Sequence, residues 1–159
     1  MKKVIQVTQK IRANEYNSLS EATAASDRES IDKNKASLIN GKVVVNYQFD
    51  GLNLILEFNN GNYLKVFAGI NSVEWDVLLT KPTISDLNLQ SNISFEFPSG
   101  DQVFWNWKAI FNSFIGKQVA ISPSDQFLFI FSRGGKEYIF NHLVNKNDPD
   151  DHYLYIGEV

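Results

Sequence analysis

The sequence predicts an α+β fold: antiparallel β meanders in two related helix-plus-meander units forming one domain, with at least one amphipathic helix packed on the sheet. Three observations carry this. From Val43 to Val66 alternating apolar runs are separated by Asp50-Gly51 and Asn59-Asn60-Gly61, turn residues suited to tight hairpins. The same chemistry returns around Pro98-Ser99-Gly100, between the runs Ile93–Phe97 and Gln102–Trp105. Finally, Trp107, Ile110, Phe111, Phe114 and Ile115 fall at i, i+3, i+4, i+7 and i+8, with Gly116 as the stop.

In chain order, Lys2 to Ile11 reads as an edge strand or an arm. Asn14 to Lys35 is the most polar stretch; Ser18 and Glu21 have capping-box spacing, and a short helix or a mobile excursion both fit. Ile31, Lys35, Leu38 and Ile39 predict a helix from about Glu29 to Asn40, closed by Gly41. A two-residue turn at Asp50-Gly51 would set Phe49 across from Leu52, Tyr47 from Leu54, Val45 from Leu56 and Val43 from Phe58. A three-residue loop at Asn59-Asn60-Gly61 sets Leu56 opposite Leu64 and Leu54 opposite Val66. Asn71 to Leu79 follows as a fourth strand with Val73, Trp75, Val77 and Leu79 alternating, and a loop surrounds Pro82. The second hairpin pairs Phe95 with Val103 and Ile93 with Trp105. After the helix come strands at Gln118–Ser122 and Phe127–Phe131, then a Gly134-Gly135 turn that brings Phe131 to Tyr138 and Phe129 to Phe140. Asn145 to Asp151 reads as an acidic loop, and Tyr153–Ile156 as the closing strand. The expected layout over 1–159 is a single domain: arm and helix at 1–40, a first meander at 41–79, a hairpin at 92–105, a helix at 106–115 and a second meander at 117–159.

An ungapped displacement of 75 residues superposes Gly41-Lys42-Val43-Val44 on Gly116-Lys117-Gln118-Val119, and Leu52, Leu54 and Leu56 on Phe127, Phe129 and Phe131. In each copy a helix ends at Gly-Lys, a strand follows and a hairpin returns. This pattern, over about Leu38–Leu79 and Phe111–Ile156, resembles small β-rich bacterial proteins, some of them immunity proteins of polymorphic-toxin or contact-dependent inhibition systems. The resemblance rests on turn and strand residues, so it implies an architecture and a protein-binding role but carries over no site residue.

Composition narrows the function classes. The 159 residues are enough to bury a core, and twelve Phe with six Tyr and three Trp suit a sheet-rich one. The absence of cysteine excludes disulfides, thiolate metal sites and cysteine nucleophiles. Lys2 and Lys3 resemble a signal n-region, but Gln6, Thr8, Gln9 and Lys10 break the apolar run that should follow, so a cytoplasmic location is expected, with no membrane association. The net charge of −3 hides a basic start, with Lys2, Lys3, Lys10 and Arg12, and an acidic end, with Asp148, Asp150, Asp151 and Glu158. An acidic chain without a basic aromatic stripe is not expected to bind nucleic acid, whereas a basic protein partner suits it.

No motif demands an enzyme. His142 and His152 bracket Asp148, Asp150 and Asp151, which offers imidazole and oxygen ligands, although a solvated acidic loop is the commoner meaning of such a run. No serine sits in a G-x-S-x-G turn. Glu57 and Glu96 occupy equivalent places before a hairpin Phe, a repetition explained by an outward strand face as readily as by a carboxylate pair. Trp105 and Trp107 are expected in the core, and Trp75, between Glu74 and Asp76, is the tryptophan best placed for a surface. The expectation is therefore a non-enzymatic protein-binding domain of the immunity type, without cofactor or metal. Its partner surface is expected at Asp148, Asp150 and Asp151 with Glu74, Trp75 and Asp76. The alternative is a small-ligand or carbohydrate module using sheet aromatics. The oligomeric state is left open.

Overall fold

A computed structural model describes residues 33–69, 72–84, 89–97, 99–123, 128–132, 136–145 and 147–159. The expected strand at Lys2–Ile11, the capping box at Ser18 and the turn residues Pro98 and Gly134-Gly135 lie outside the described residues. Residues 33–37 are helical (α1) and lead through a turn into Gly41, whose φ of 77° is the left-handed conformation that a helix stop favours. Ala36 and Ile39 face inward from this segment.

Eight strands form one antiparallel sheet: β1 (Lys42–Phe49), β2 (Asn53–Phe58), β3 (Tyr63–Ala68), β4 (Val73–Leu78), then β7 (Gln118–Pro123), β8 (Leu128–Ser132), β9 (Glu137–Asn145) and β10 (Asp148–Glu158). Between the halves lie β5 (Asn92–Glu96), β6 (Gln102–Asn106), which pair only with each other, and helix α2 (Trp107–Asn112). The spatial order is β10-β9-β8-β7-β1-β2-β3-β4, so two four-stranded meanders meet through their first strands. The sheet curls: β4 packs against β8 and β9, and β10 against β3 and β6.

Where loop length was legible the registers are as expected. Leu56 faces Leu64 and Leu54 faces Val66, with Gly61 at φ 84°. Phe95 faces Val103 and Ile93 faces Trp105, with Gly100 at φ 89°. The first hairpin differs from expectation. Phe49 pairs with Leu54 and Tyr47 with Leu56, because the two central turn residues are Gly51 and Leu52. Asp50 N–H donates to the Asn53 carbonyl, and the Asp50 carboxylate accepts from the Leu52 and Asn53 amides. Gly51, at φ 97°, supplies the positive φ that a type II′ turn needs at its first central position. The shift of two residues leaves the faces unchanged.

A second difference does exchange faces. Between Val44 and Asn46 the register of β1 slips by a bulge, so Val44 is buried, while Val45, expected on the apolar face, is 45% exposed. In the second meander Ile130 pairs with Tyr138 and Leu128 with Phe140, one residue away from the expected pairing. Leu128 and Ile130 are therefore buried, and Phe129 and Phe131 turn to the other face, Phe131 being 40% exposed. The ungapped displacement of 75 thus fails within the strands. The chain also runs straight from Asp148 into β10, where an acidic loop was expected.

Helix α2 is shorter than its apolar spacing predicted. The Asn106 side chain caps it by accepting from the Ala109 amide, and a turn beyond Asn112 carries the chain to Gly116 at φ 79°. Trp107, Phe111 and Phe114 are buried, whereas Ile115 is 40% exposed. Phe111 meets the rings of Tyr47, Phe49, Trp107 and Phe114 at 5.0–6.2 Å, which pins α2 to β1. Trp105 stacks edge-on against Tyr153 and Tyr155, joining the β5–β6 hairpin to β10. No helix among the described residues is long and apolar enough to cross a membrane.

Candidate functional site

The central seam of the sheet is only partly closed. β1 and β7 pair at Lys42 with Val119 and Val43 with Gln118, flanked by bonds from Gly41 N–H to the Val119 carbonyl and from Gly116 N–H to the Val44 carbonyl. Past Val44 there is no more of β7 to pair with, since its first residue, Gln118, is already opposite Val43; β1 runs on beside α2 and the turn that follows it, where Val44 bridges to Ile115. Alternation in the β1–β2 ladder, fixed by the Asp50–Asn53 bond, points the backbone groups of Tyr47 and Phe49 away from β2 and into this opening. One of those donors is covered locally, since the Asn46 side chain accepts from the Tyr47 amide at 2.9 Å. At the opposite end of the β1–β7 pairing Asn40 does the same for the Ile121 amide of β7, at 2.9 Å. Two asparagines thus cover one strand amide beyond each end of this short pairing.

Along the open edge of β1 runs a groove of about 770 Å³, lined by Val45–Phe49 on one side and by Trp107, Lys108, Asn112 and Ile115 on the other. Tyr47 Oη donates to Asn112 Oδ1 at 2.7 Å, tying strand to helix across it, and burial raises the Tyr47 hydroxyl pKa. Trp107 Nε1 is spent inward, donating to the Gln90 carbonyl at 2.6 Å. The groove offers an extended ligand unpaired backbone groups, the half-exposed apolar side chains of Val45 and Ile115, amides at Asn46, Gln48 and Asn112, and one cation at Lys108. Nothing in the sequence announced it, because it follows from a long-range pairing; the polar Asn46 inside an apolar strand was its one local trace.

The expected partner residues fall elsewhere. Asp148 and Asp150 are exposed at the start of β10, and Asp151 is half-buried, accepting from Asn145 Nδ2 at 3.3 Å. Glu74 is exposed on β4, Trp75 is half-buried against the core, and Asp76 is engaged by Lys35 at 2.9 Å while accepting from the Val77 amide. The two groups sit on the two terminal strands of the sheet order rather than on one strand pair. Glu57 and Glu96 lie in different sheets. Trp105 and Trp107 are buried, as expected.

A second constellation is polar and half-buried. His142 Nε2 and His152 Nδ1 are 3.0 Å apart, brought together by the β9–β10 register. Burial holds His142 below the usual histidine range; the neighbouring His152 adds to this, and the Gly69 backbone acts the other way. Among the described residues no group of three or more His, Cys, Asp and Glu side chains is placed to hold a metal. Trp105 Nε1 and Tyr155 Oη are buried without hydrogen-bond partners among the described residues, and burial raises the Tyr155 pKa.

Comparison with known proteins assigns no family: no family model, curated protein or solved structure matches the chain.

Proposed function

We propose that this chain is a non-enzymatic protein-binding domain, an immunity protein that neutralises a bacterial toxin in the cytoplasm, and that it engages its partner along the open edge of β1. The observation that carries the reading is the backbone of Tyr47 and Phe49 turned away from β2, with the Tyr47 amide covered only by its neighbour Asn46, beside a half-apolar groove between β1 and α2. Strand addition to such an edge supplies main-chain hydrogen bonds, and the flanking side chains supply selectivity. Acidic residues at the start of β10 would add electrostatic steering toward a basic partner.

The test is calorimetric titration of the intact chain with the product of the adjacent gene. Val45→Lys places a charge in the groove at an exposed position and is expected to weaken binding at least about tenfold, while the Asp148, Asp150 and Asp151 alanine variants chiefly slow association. No binding would remove the immunity reading. Binding insensitive to Val45→Lys would keep the function and reject the groove. A second reading, a small polar ligand or sugar, draws on the groove volume and on the amides of Asn46, Gln48 and Asn112 beside Tyr47; a screen of glycans against the intact chain tests it.

We also infer that the two meanders descend from one unit. What supports this is the agreement of registers once the β1 bulge is allowed for. The bonds from Gly41 N–H to Val119 and from Gly116 N–H to Val44 are reciprocal, with Gly116 and Val119 each 75 residues after their counterparts Gly41 and Val44. Beyond the bulge the offset is 74: Tyr47–Leu56 answers to Ile121–Ile130, and Leu54–Val66 answers to Leu128–Phe140.

A further inference from the structure

The chain has two histidines, and the fold brings them into contact. They lie on adjacent strands at diagonal positions: His142 is directly opposite Leu154, and His152 opposite Val144. Their side chains share a sheet face with the buried Phe140, Leu154 and Ile156. The rings are inclined at 53° with centroids 5.2 Å apart, so they meet through nitrogens rather than by stacking. Among the described residues His142 Nδ1, buried beside the Gly69 backbone, has no well-formed hydrogen bond, so only that weak contact holds the ring against rotation. Both residues are half-buried, which leaves the pair open to a small solute.

We propose that His142 Nε2 and His152 Nδ1 are a cis pair of ligands for one divalent late transition-metal ion of the Ni²⁺ or Cu²⁺ type, with water in the remaining positions. Metal–imidazole bonds near 2.0–2.1 Å place two nitrogens about 2.9 Å apart at a right angle and about 3.3 Å apart at the tetrahedral angle. The observed 3.0 Å lies nearer the right angle, the geometry of tetragonal Ni²⁺ and Cu²⁺ sites. Binding replaces the shared proton by the ion: that proton moves to the outer nitrogen of the ring that carried it, His142 Nδ1 or His152 Nε2, so both rings ligate as neutral imidazoles and the neutral pair releases no net proton.

The experiment titrates Ni²⁺, Cu²⁺ and Zn²⁺ into the full chain in a non-coordinating buffer, beside His142→Gln, His152→Gln and the double variant, with circular dichroism to check folding. One ion per chain is expected, with Ni²⁺ at least as tight as Zn²⁺. Either single variant should lose at least about tenfold in affinity, the smaller effect known even for outer-shell partners. Electron paramagnetic resonance of the equimolar Cu²⁺ complex should show two nitrogen donors. Should His142→Gln unfold the chain, His152→Gln with the resonance spectrum decides alone. Equal binding by wild type and double variant, a spectrum with at most one nitrogen, or Zn²⁺ binding more tightly than Ni²⁺ would overturn the assignment.

Discussion

Ile130→Ala should destabilise the protein far more than Phe131→Ala, although phenylalanine is the larger side chain. Ile130 is fully buried on β8, between Ile121 on β7 and Tyr138 on β9, whereas Phe131 points from the other face and is 40% exposed. Truncating isoleucine removes three carbons at about 0.8 kcal/mol each and leaves a cavity, so about 2–5 kcal/mol is expected. Phe131→Ala should cost less than about 1 kcal/mol, as surface changes do. Urea unfolding followed by tryptophan fluorescence measures both on one scale, and thermal unfolding repeats it. A larger loss for Phe131→Ala would mean that β8 and β9 pair one residue further along, and would reverse the faces of half the sheet.

Other consequences are as direct. Asn46→Ala uncovers the Tyr47 amide, and should speed its hydrogen exchange while costing about 0.5–1.5 kcal/mol in urea unfolding; unchanged exchange would mean the amide is covered by another group. A Cβ on Gly157 would lie 2.8 Å from Tyr155 Oη, and Tyr155 is wedged against Trp105, so Gly157→Ala should cost about 1–3 kcal/mol; a neutral result would show the ring free to shift. His142 has its pKa depressed in the folded state, so the unfolded chain binds more protons just below the ordinary histidine value. In the presence of a chelator, stability should therefore be full above that value and decline as pH falls through it toward the lower folded pKa. Urea midpoints measured across that window should lose this slope in His142→Gln, and a slope unchanged by the substitution would refute the assignment.

What the sequence made legible depended on turn length. Asn59-Asn60-Gly61 and the loop before Asp101 fixed their registers, because a Gly at positive φ leaves little freedom in a short loop. At Asp50-Gly51 the carboxylate bound two amides ahead of it and moved the turn one residue along; the partners slid by two and the faces survived. Beyond Ser132 a one-residue error exchanged the faces, and alternating Phe and Ile or Leu residues gave no apolar contrast to prevent it. The contact of β1 with β7 joins residues 75 and 77 apart, with no single turn to announce it, so neither the seam nor the groove was readable. In the sequence the histidines stand only as brackets of an acidic run; the β10 bulge between Asp148 and His152 sets them side by side.

The open seam is tested most directly by cross-strand nuclear Overhauser contacts between β1 and β7 in the isolated chain. Contacts are expected from Lys42 and Val43 to Gln118 and Val119, and no strand-type backbone contacts from Tyr47 to Phe114 or from Phe49 to Asn112, the positions an extended antiparallel ladder would place opposite them, with the Phe49 amide exchanging faster than that of Tyr47. A ladder running unbroken to Phe49 would close the edge and remove the site on which the proposed partner binds.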